Sequence, residues 1–190
     1  MDSKFLEAIS LAVVEILGQK DAVLIFKKIG VYSNTMDSET FSGIHFSLEE
    51  LGQALAKKYD DQIAKGLMIR IGRASLTFLR RFFQEIAELG KIENRLKPLD
   101  KRFPYSLNVL AGKASSELGE AVKLLIKSKL AFEWQINAAS GQVYMPYYHF
   151  GLLEEFCYWL DARKYYQLSY ADGEGLAGTC RIGLEVKEME

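Results

Sequence analysis

The sequence predicts an α+β protein, with amino-terminal helices packed against a small antiparallel sheet that carries one inserted helix. Two observations lead there. Apolar residues recur every three or four positions over most of the first 125 residues, and alternate one in two in segments after residue 130. Helices also come first and strands afterwards, an order that excludes the repeated strand-helix-strand units of a parallel sheet.

The first helix is capped by Asp2 and Ser3, places Leu6, Ile9, Val13, Ile16 and Leu17 on one face, and ends at Gly18. A shorter helix starts at Asp21, runs through Ile25, Phe26 and Ile29, and stops at Gly30. Periodicity is lost over residues 31–44, which read as a loop. Ser47 followed by Glu50 is a capping box, in which each side chain serves the other's backbone amide. That helix runs to about residue 58. A longer one spans residues 61 or 62 to 89, with Gly66 and Gly72 inside it, each costing about 1 kcal/mol against alanine unless close packing or a bend requires it. Residues 91–105, with Pro98 and Pro104, read as a connector. Ser106 then opens a helix whose buried face is Leu107, Leu110, Ala114, Leu118, Ala121 and Leu125.

The strand period starts at Leu130, Phe132, Trp134 and Ile136. A turn at Ala139-Ser140-Gly141 leads to a returning strand over residues 143–147. Residues 151–160 form the inserted helix, and residues 165–170 a further strand. After a glycine-rich turn at 171–178, the last strand has Cys180, Ile182, Leu184 and Val186 on one side. The expected division is an amino-terminal helical extension, 1–59, and the region 60–190, in one compact unit.

Composition narrows the function. Twenty-four Lys and Arg balance 25 Asp and Glu, a net charge of -1. That balance gives no overall field for nucleic acid. No apolar stretch approaches the roughly 20 residues of a membrane span. The acidic amino terminus is unlike a secretory signal, and two cysteines cannot build a disulfide framework. The expectation is a reduced, cytoplasmic protein without nucleic-acid or membrane partners.

Few residues point to chemistry. Gly173, Gly175 and Gly178 mimic a dinucleotide fingerprint, but a strand follows them where a phosphate-binding helix would be needed. His149, Cys157 and Cys180 are weak metal candidates with no ligand spacing among them, so no metal and no cofactor is expected. No catalytic residue is assigned. Arg70 and Arg73 flank Gly72 on the long helix and fit either a solvated face or a clamp for an anion.

Aromatic density is the strongest signal. Of 23 Phe, Trp and Tyr residues, 12 lie between Phe132 and Tyr170, bracketing the inserted helix. Rings with polar tips suit a core, a ligand pocket or an interface.

Two segments carry a resemblance. Gly66-Leu-Met-Ile-Arg-Ile-Gly-Arg-Ala-Ser-Leu-Thr-Phe-Leu-Arg80, and His149-Phe-Gly-Leu-Leu-Glu-Glu-Phe-Cys-Tyr-Trp-Leu160 continuing through Tyr165-Tyr-Gln-Leu to Gly178-Thr-Cys-Arg-Ile182, resemble the 4-vinyl reductase domain of predicted hydrocarbon-binding proteins. The resemblance covers about residues 60–187. It implies a fold like the subunits of vesicle-tethering (TRAPP) complexes and a small-molecule ligand, apolar or tetrapyrrole-like. Family members often carry further cysteines thought to bind metal. Here those stretches hold Tyr144, Met145, Pro146, Tyr147, Ala171 and Asp172, and only Cys180 matches.

The expected function is therefore a sensor or carrier with an apolar pocket lined by Trp134, Tyr148, Phe156, Trp159 and Tyr166. Arg70 or Arg73 would meet an acidic group on the ligand. Output would pass to a regulatory protein partner. A ligand-free assembly subunit and an enzyme of tetrapyrrole pigment metabolism are the alternatives. The apolar surface of the first two helices points to a homodimer, since it must be covered by the core or by a second copy.

Overall fold

The computed structural model describes residues 3–31, 45–119, 121–137, 142–162, 164–171 and 179–187, with backbone alone at 165, 170 and 171. The expected loop at 31–44 beyond Val31, the turn at 139–141 and the glycine-rich turn at 172–178 lie outside the described residues. The elements in chain order are α1 (Lys4–Leu17), α2 (Gln19–Lys28), α3 (Leu48–Ala56), α4 (Asp61–Phe82), α5 (Gln84–Glu88), α6 (Ile92–Arg95) and α7 (Leu99–Leu118). They are followed by β1 (Ala121–Ile126), β2 (Ala131–Asn137), α8 (Met145–Leu160), β3 (Tyr165–Ala171) and β4 (Thr179–Lys187). The fold is α+β, as the sequence predicts. No helix among the described residues is long and apolar enough to cross a membrane.

The chain divides into two compact units. One comprises Met1–Phe82 and Gln142–Leu152; the other comprises Phe83–Gly141 and Leu153–Glu190.

In the first unit α1 packs chiefly on α4. Ser3 caps α1, its Oγ accepting from the Leu6 amide at 3.2 Å. Phe5, Ile9, Ala12 and Val13 are wholly buried, as are Met68, Ile71 and Leu79 of α4. Each large side chain of this kind contributes about 1.5–3 kcal/mol. Because α4 covers α1, and α2 buries Ala22, Ile25 and Phe26 in the same unit, these helices need no second copy. The argument they offered for a homodimer falls away.

The capping box forms as expected, with Ser47 N donating to Glu50 Oε2 at 2.8 Å and Glu50 N to Ser47 Oγ at 3.1 Å. The adjacent Glu49 is buried, and its Oε2 accepts from the amides of Val143 and Tyr144 at 2.9 and 2.8 Å. A carboxylate there meets the positive end of α8. Glycines then seat the first half of α8. A Cβ at Gly72 would lie 2.1 Å from Tyr148 O, and one at Gly151 would lie 2.0 Å from Ile69 O.

Two aspartates tie further elements together. Asp21 accepts from Lys58 Nζ at 2.7 Å and Tyr59 Oη at 2.6 Å. Asp61 accepts from Lys65 Nζ at 2.7 Å and Tyr144 Oη at 2.8 Å. These hydrogen bonds, those from the lysines foremost, hold both carboxyls below the usual aspartate range.

The second unit contains the antiparallel sheet, in the order β1-β2-β4-β3. β2 buries Phe132, Trp134 and Ile136, and β4 buries Cys180, Ile182, Leu184 and Val186, in the alternation expected.

Four sequence expectations need correcting. The helix over residues 61–89 breaks at Phe83, whose backbone turns extended (φ -117°, ψ 104°) while its ring is buried. The connector over 91–105 is partly helical: α6 lies in it, and α7 starts at Leu99 with Pro98 as its N-cap and Pro104 inside. Pro98 precedes the first helical residue, so its missing N–H removes no intrahelical hydrogen bond. The lost hydrogen bond at Pro104 is tolerated because Arg102 and Phe103 beside it are buried and anchored. The helix expected to reach Leu125 ends at Leu118, because Gly119 adopts the left-handed conformation (φ 67°). Ala121 and Leu125 therefore belong to β1, which Ser115 fastens to α7 by Oγ bonds with the amide and carbonyl of Val122 at 3.0 and 3.1 Å. Finally, residues 143–147 do not return beside β2; α8 begins at Met145, and β2 pairs with β1 and β4.

Two outcomes follow for stability. Gly151→Ala, with backbone in its way, is expected to lower unfolding free energy by about 1–3 kcal/mol. Gly66→Ala meets nothing within 4 Å and is expected to raise it by about 0.5–1 kcal/mol; urea denaturation of both variants checks the pair. For pH, a depressed folded-state carboxyl stabilises above its unfolded pKa, and the effect disappears as pH falls through the folded value. The contribution of Asp21 and Asp61 is thus complete near neutrality and lost below about pH 4. Double replacement by Asn is expected to flatten the acid side of a urea-midpoint profile.

Candidate functional site

The seven residues expected around a ligand fall into both units. Tyr148, Arg70 and Arg73 belong to the first. Tyr148 is wholly buried on α8, its carbonyl seated over Gly72. His149 is also wholly buried, its ring 5.5 Å from that of Tyr148 at 85°. Arg70 and Arg73 are exposed, whereas Met68, Ile71, Gly72 and Ser75 form the buried face of α4.

Trp134, Phe156, Trp159 and Tyr166 belong to the second unit. Trp134 is buried on β2, in register with Leu124 of β1 and Ile182 of β4. Phe156 is wholly buried, 5.8 Å from Trp159 between ring centroids. Trp159 takes the room Gly90 leaves, since a Cβ there would come within 2.6 Å of its indole. Tyr166 is buried, stacked at 5.6 Å on Phe103 and edge-on at 5.4 Å to Tyr158. Phe103 also stacks on Phe132 at 6.4 Å.

An ion pair stands beside these rings. Arg102 Nη2 donates to Asp161 Oδ2 at 2.8 Å and Nη1 to the Arg95 carbonyl at 2.7 Å, with both charged side chains at most 5% exposed. The Tyr166 hydroxyl donates to the Asp161 carbonyl. Burial, together with the neighbouring Cys157 and Asp161, pushes the Tyr166 phenol up. Arg102 and Phe103 escape the sequence reading because two prolines make residues 91–105 read as a connector, and Asp161 because it falls just past the helix expected over 151–160. Nothing local in the sequence indicates that Arg102 meets a residue 59 positions later.

No group of three or more His, Cys, Asp or Glu side chains among the described residues could hold a metal. Cys157 and Cys180 are buried free thiols. Burial, with Glu154 nearby, pushes the Cys157 thiol up, so it stays protonated at neutral pH. The second unit also has an open cleft of about 420 Å³ at the start of α7, bordered by Arg95, Lys97, Leu99, Arg102, Asp161 and Lys164. Another, of about 270 Å³, is lined by Glu85, Glu88, Lys91, Glu93 and Tyr105 among others.

No family model and no curated protein matches the chain. Solved structures do match. A variant of Tt H-NOX aligns with a TM-score of 0.66 at 11% identity, covering 100% of this chain and 96% of its own. The fold is that of H-NOX domains. An oxygen-binding H-NOX domain related to soluble guanylate cyclases, solved as its oxygen complex, aligns at 0.58 and 12% identity over 99% and 96% of the two chains. An H-NOX protein from S. oneidensis in the Fe(II)NO ligation state aligns at 0.61 and 12% identity over 99% and 100%. These H-NOX matches overturn the assignment to the 4-vinyl reductase domain. The two quoted segments take in most of α4 and α8 and parts of β3 and β4, and burial against any α+β core demands apolar patterns of that kind.

Cys157 is expected to resist a thiol reagent such as DTNB at pH 8 in the native chain and to react on unfolding. Reaction of two thiols per native chain would contradict its burial. Asp161→Ala is expected to cost about 3–5 kcal/mol by leaving Arg102 buried without its charge partner, measured by urea denaturation.

Proposed function

We propose that this chain is a small-molecule-binding sensor or carrier domain built on the H-NOX fold, with an apolar ligand. The observation that carries the reading is the fold likeness to domains whose names describe oxygen and nitric-oxide complexes. Trp134, Phe156, Trp159 and Tyr166 are the aromatic side chains assigned to the ligand in the second unit. They combine large apolar faces with two indole N–H groups and a phenol, a mixture suited to orienting a mostly apolar guest.

Haem, which is named for two of these neighbours, is not favoured by His45, His149 or Cys157. A haem iron takes a His, Cys, Met or Tyr axial ligand, and its site must leave room for the macrocycle. His45 is exposed. His149 is wholly buried, with its ring 5.5 Å from that of Tyr148. Cys157 is held protonated by burial, and the arginines flanking Gly72 point away from the buried face of their helix. The reading is therefore of an H-NOX fold with a different guest.

A thermal-shift panel of fatty acids, polycyclic aromatics, protoporphyrin IX and haemin tests this. A ligand at 100 times its Kd is expected to raise Tm by about 5–10 °C, and Trp159→Ala is expected to remove that response with the fold retained. A flat panel would overturn the binding reading. Stoichiometric haemin binding with a sharp Soret band, lost in His149→Ala, would replace the apolar ligand by haem.

A further inference from the structure

We propose that α6, with the two clefts beside it, is a two-fold interface with a second copy of this chain. It lies in the second unit and so differs from the dimer contact expected of α1 and α2. It also goes beyond the ligand reading, because none of the four aromatic residues assigned to the ligand borders either cleft.

Two aliphatic side chains stand in the open here. Ile92 is 73% exposed and Leu96 79%, the highest values among the large apolar residues described. A single exposed aliphatic is ordinary, but these two are four positions apart and share one side of α6, with Leu96 at its C-cap. The opposite side is fixed inward. Asn94 is buried there, its Nδ2 donating to the Leu89 carbonyl at 2.6 Å. α6 is thus held in one orientation, with Ile92 and Leu96 as an outward crest.

Charge divides on either side of that crest. At 3.6 residues per turn, Glu93 and Arg95 leave α6 on opposite flanks, because Asn94 between them points inward. Both are exposed. Glu93 borders the cleft of about 270 Å³, together with Glu85 and Glu88. Arg95 borders the cleft of about 420 Å³, together with Arg102 and Lys164. Lys97 borders both, which makes the two clefts neighbours across α6. Glu88 and Glu85 pair within the chain with Lys91 and Lys113 at 3.0 and 2.8 Å, and Asp161 in the basic cleft is held by Arg102. Glu93 and Arg95 therefore set the sign of each flank towards a partner.

A two-fold rotation turns this arrangement onto its own complement. With the axis beside Ile92 and Leu96, the two crests meet, and Glu93 of each copy faces Arg95 of the other. A partner of one sign does not fit both flanks. An anionic lipid surface or a nucleic acid is repelled at Glu93, and a cationic surface is repelled at Arg95. The net charge of -1 per chain adds no long-range repulsion between copies.

Sedimentation equilibrium of the full chain from about 1 to 100 µM tests the interface. The expected species is a dimer, at twice the 21.5 kDa chain mass. Leu96→Glu is expected to weaken it about a hundredfold or more, with an unchanged circular-dichroism spectrum because that side chain is exposed. Glu93→Arg and Arg95→Glu are each expected to weaken it about tenfold. Mixing these two variants is expected to restore the dimer, since opposite charges then meet on both flanks. Leu24→Glu, at an exposed position of the first unit, leaves the dimer intact. A monomer throughout the range overturns the interface, as does a dimer that survives Leu96→Glu or dissociates with Leu24→Glu. Failure of the mixed variants to associate overturns the two-fold pairing. A monomer that sediments with phosphatidylserine vesicles, and fails to after Leu96→Glu, replaces the second copy by a lipid surface.

Discussion

Three glycines hold the first half of α8 in place, and the first unit depends on them. Gly52 makes room for the Tyr144 side chain, Gly72 for the Tyr148 carbonyl and the Leu152 amide, and Gly151 for the backbone of Ile69. Two helices that approach this closely gain dense van der Waals contact along their length, but neither can carry a Cβ where they touch. The glycine in α4 thus contributes through what it lacks. Its intrinsic penalty in a helix interior is offset by the burial of Met68, Ile71, Tyr148 and Leu152 around it. Glu49 completes the arrangement from a third helix by satisfying amides at the entrance to α8.

The second unit relies on a different device. A charge pair between Arg102 and Asp161 is buried among rings, and each partner has further hydrogen bonds. Such a pair contributes little net stability over an apolar replacement, because desolvation offsets the attraction. What it does supply is register. It fixes α7 rotationally, so Phe103 meets Phe132 on β2 and Tyr166 on β3. The dense aromatic region noted in the sequence is, in this unit, largely rings packed on rings.

Much of the fold was legible because its causes are local. The caps at Ser3 and Ser47, the alternation of β2 and β4, and the α+β order all depend on neighbours within a few positions. The failures share one origin. β1 could be read as helix because Leu118, Ala121 and Leu125 keep a helical spacing, and only the left-handed conformation at Gly119 separates the two readings. α7 reads too short because two prolines outweigh a buried ion pair that no local pattern announces. The break at Phe83 is likewise decided by where its ring is buried. The surroundings of the aromatic residues are the least legible, since no local pattern points to Arg102, Phe103 and Asp161 beside them. The family resemblance fails on the same ground, as it rests on apolar helix and strand patterns that many folds share.

The order of the strands also determines how the sheet can be assembled. β1 and β2 are close in sequence and can pair as a hairpin. β4, the latest of the four in the chain, lies between β2 and β3 and bonds to both. During synthesis, β2 therefore has an unpaired edge, and β3 has no partner, until residues 179–187 have left the ribosome. Exposed edges of this kind are where nascent chains associate wrongly. The burden falls on the helices of the second unit, already synthesised by then, to shelter Phe132, Trp134 and Ile136 while the central strand is awaited.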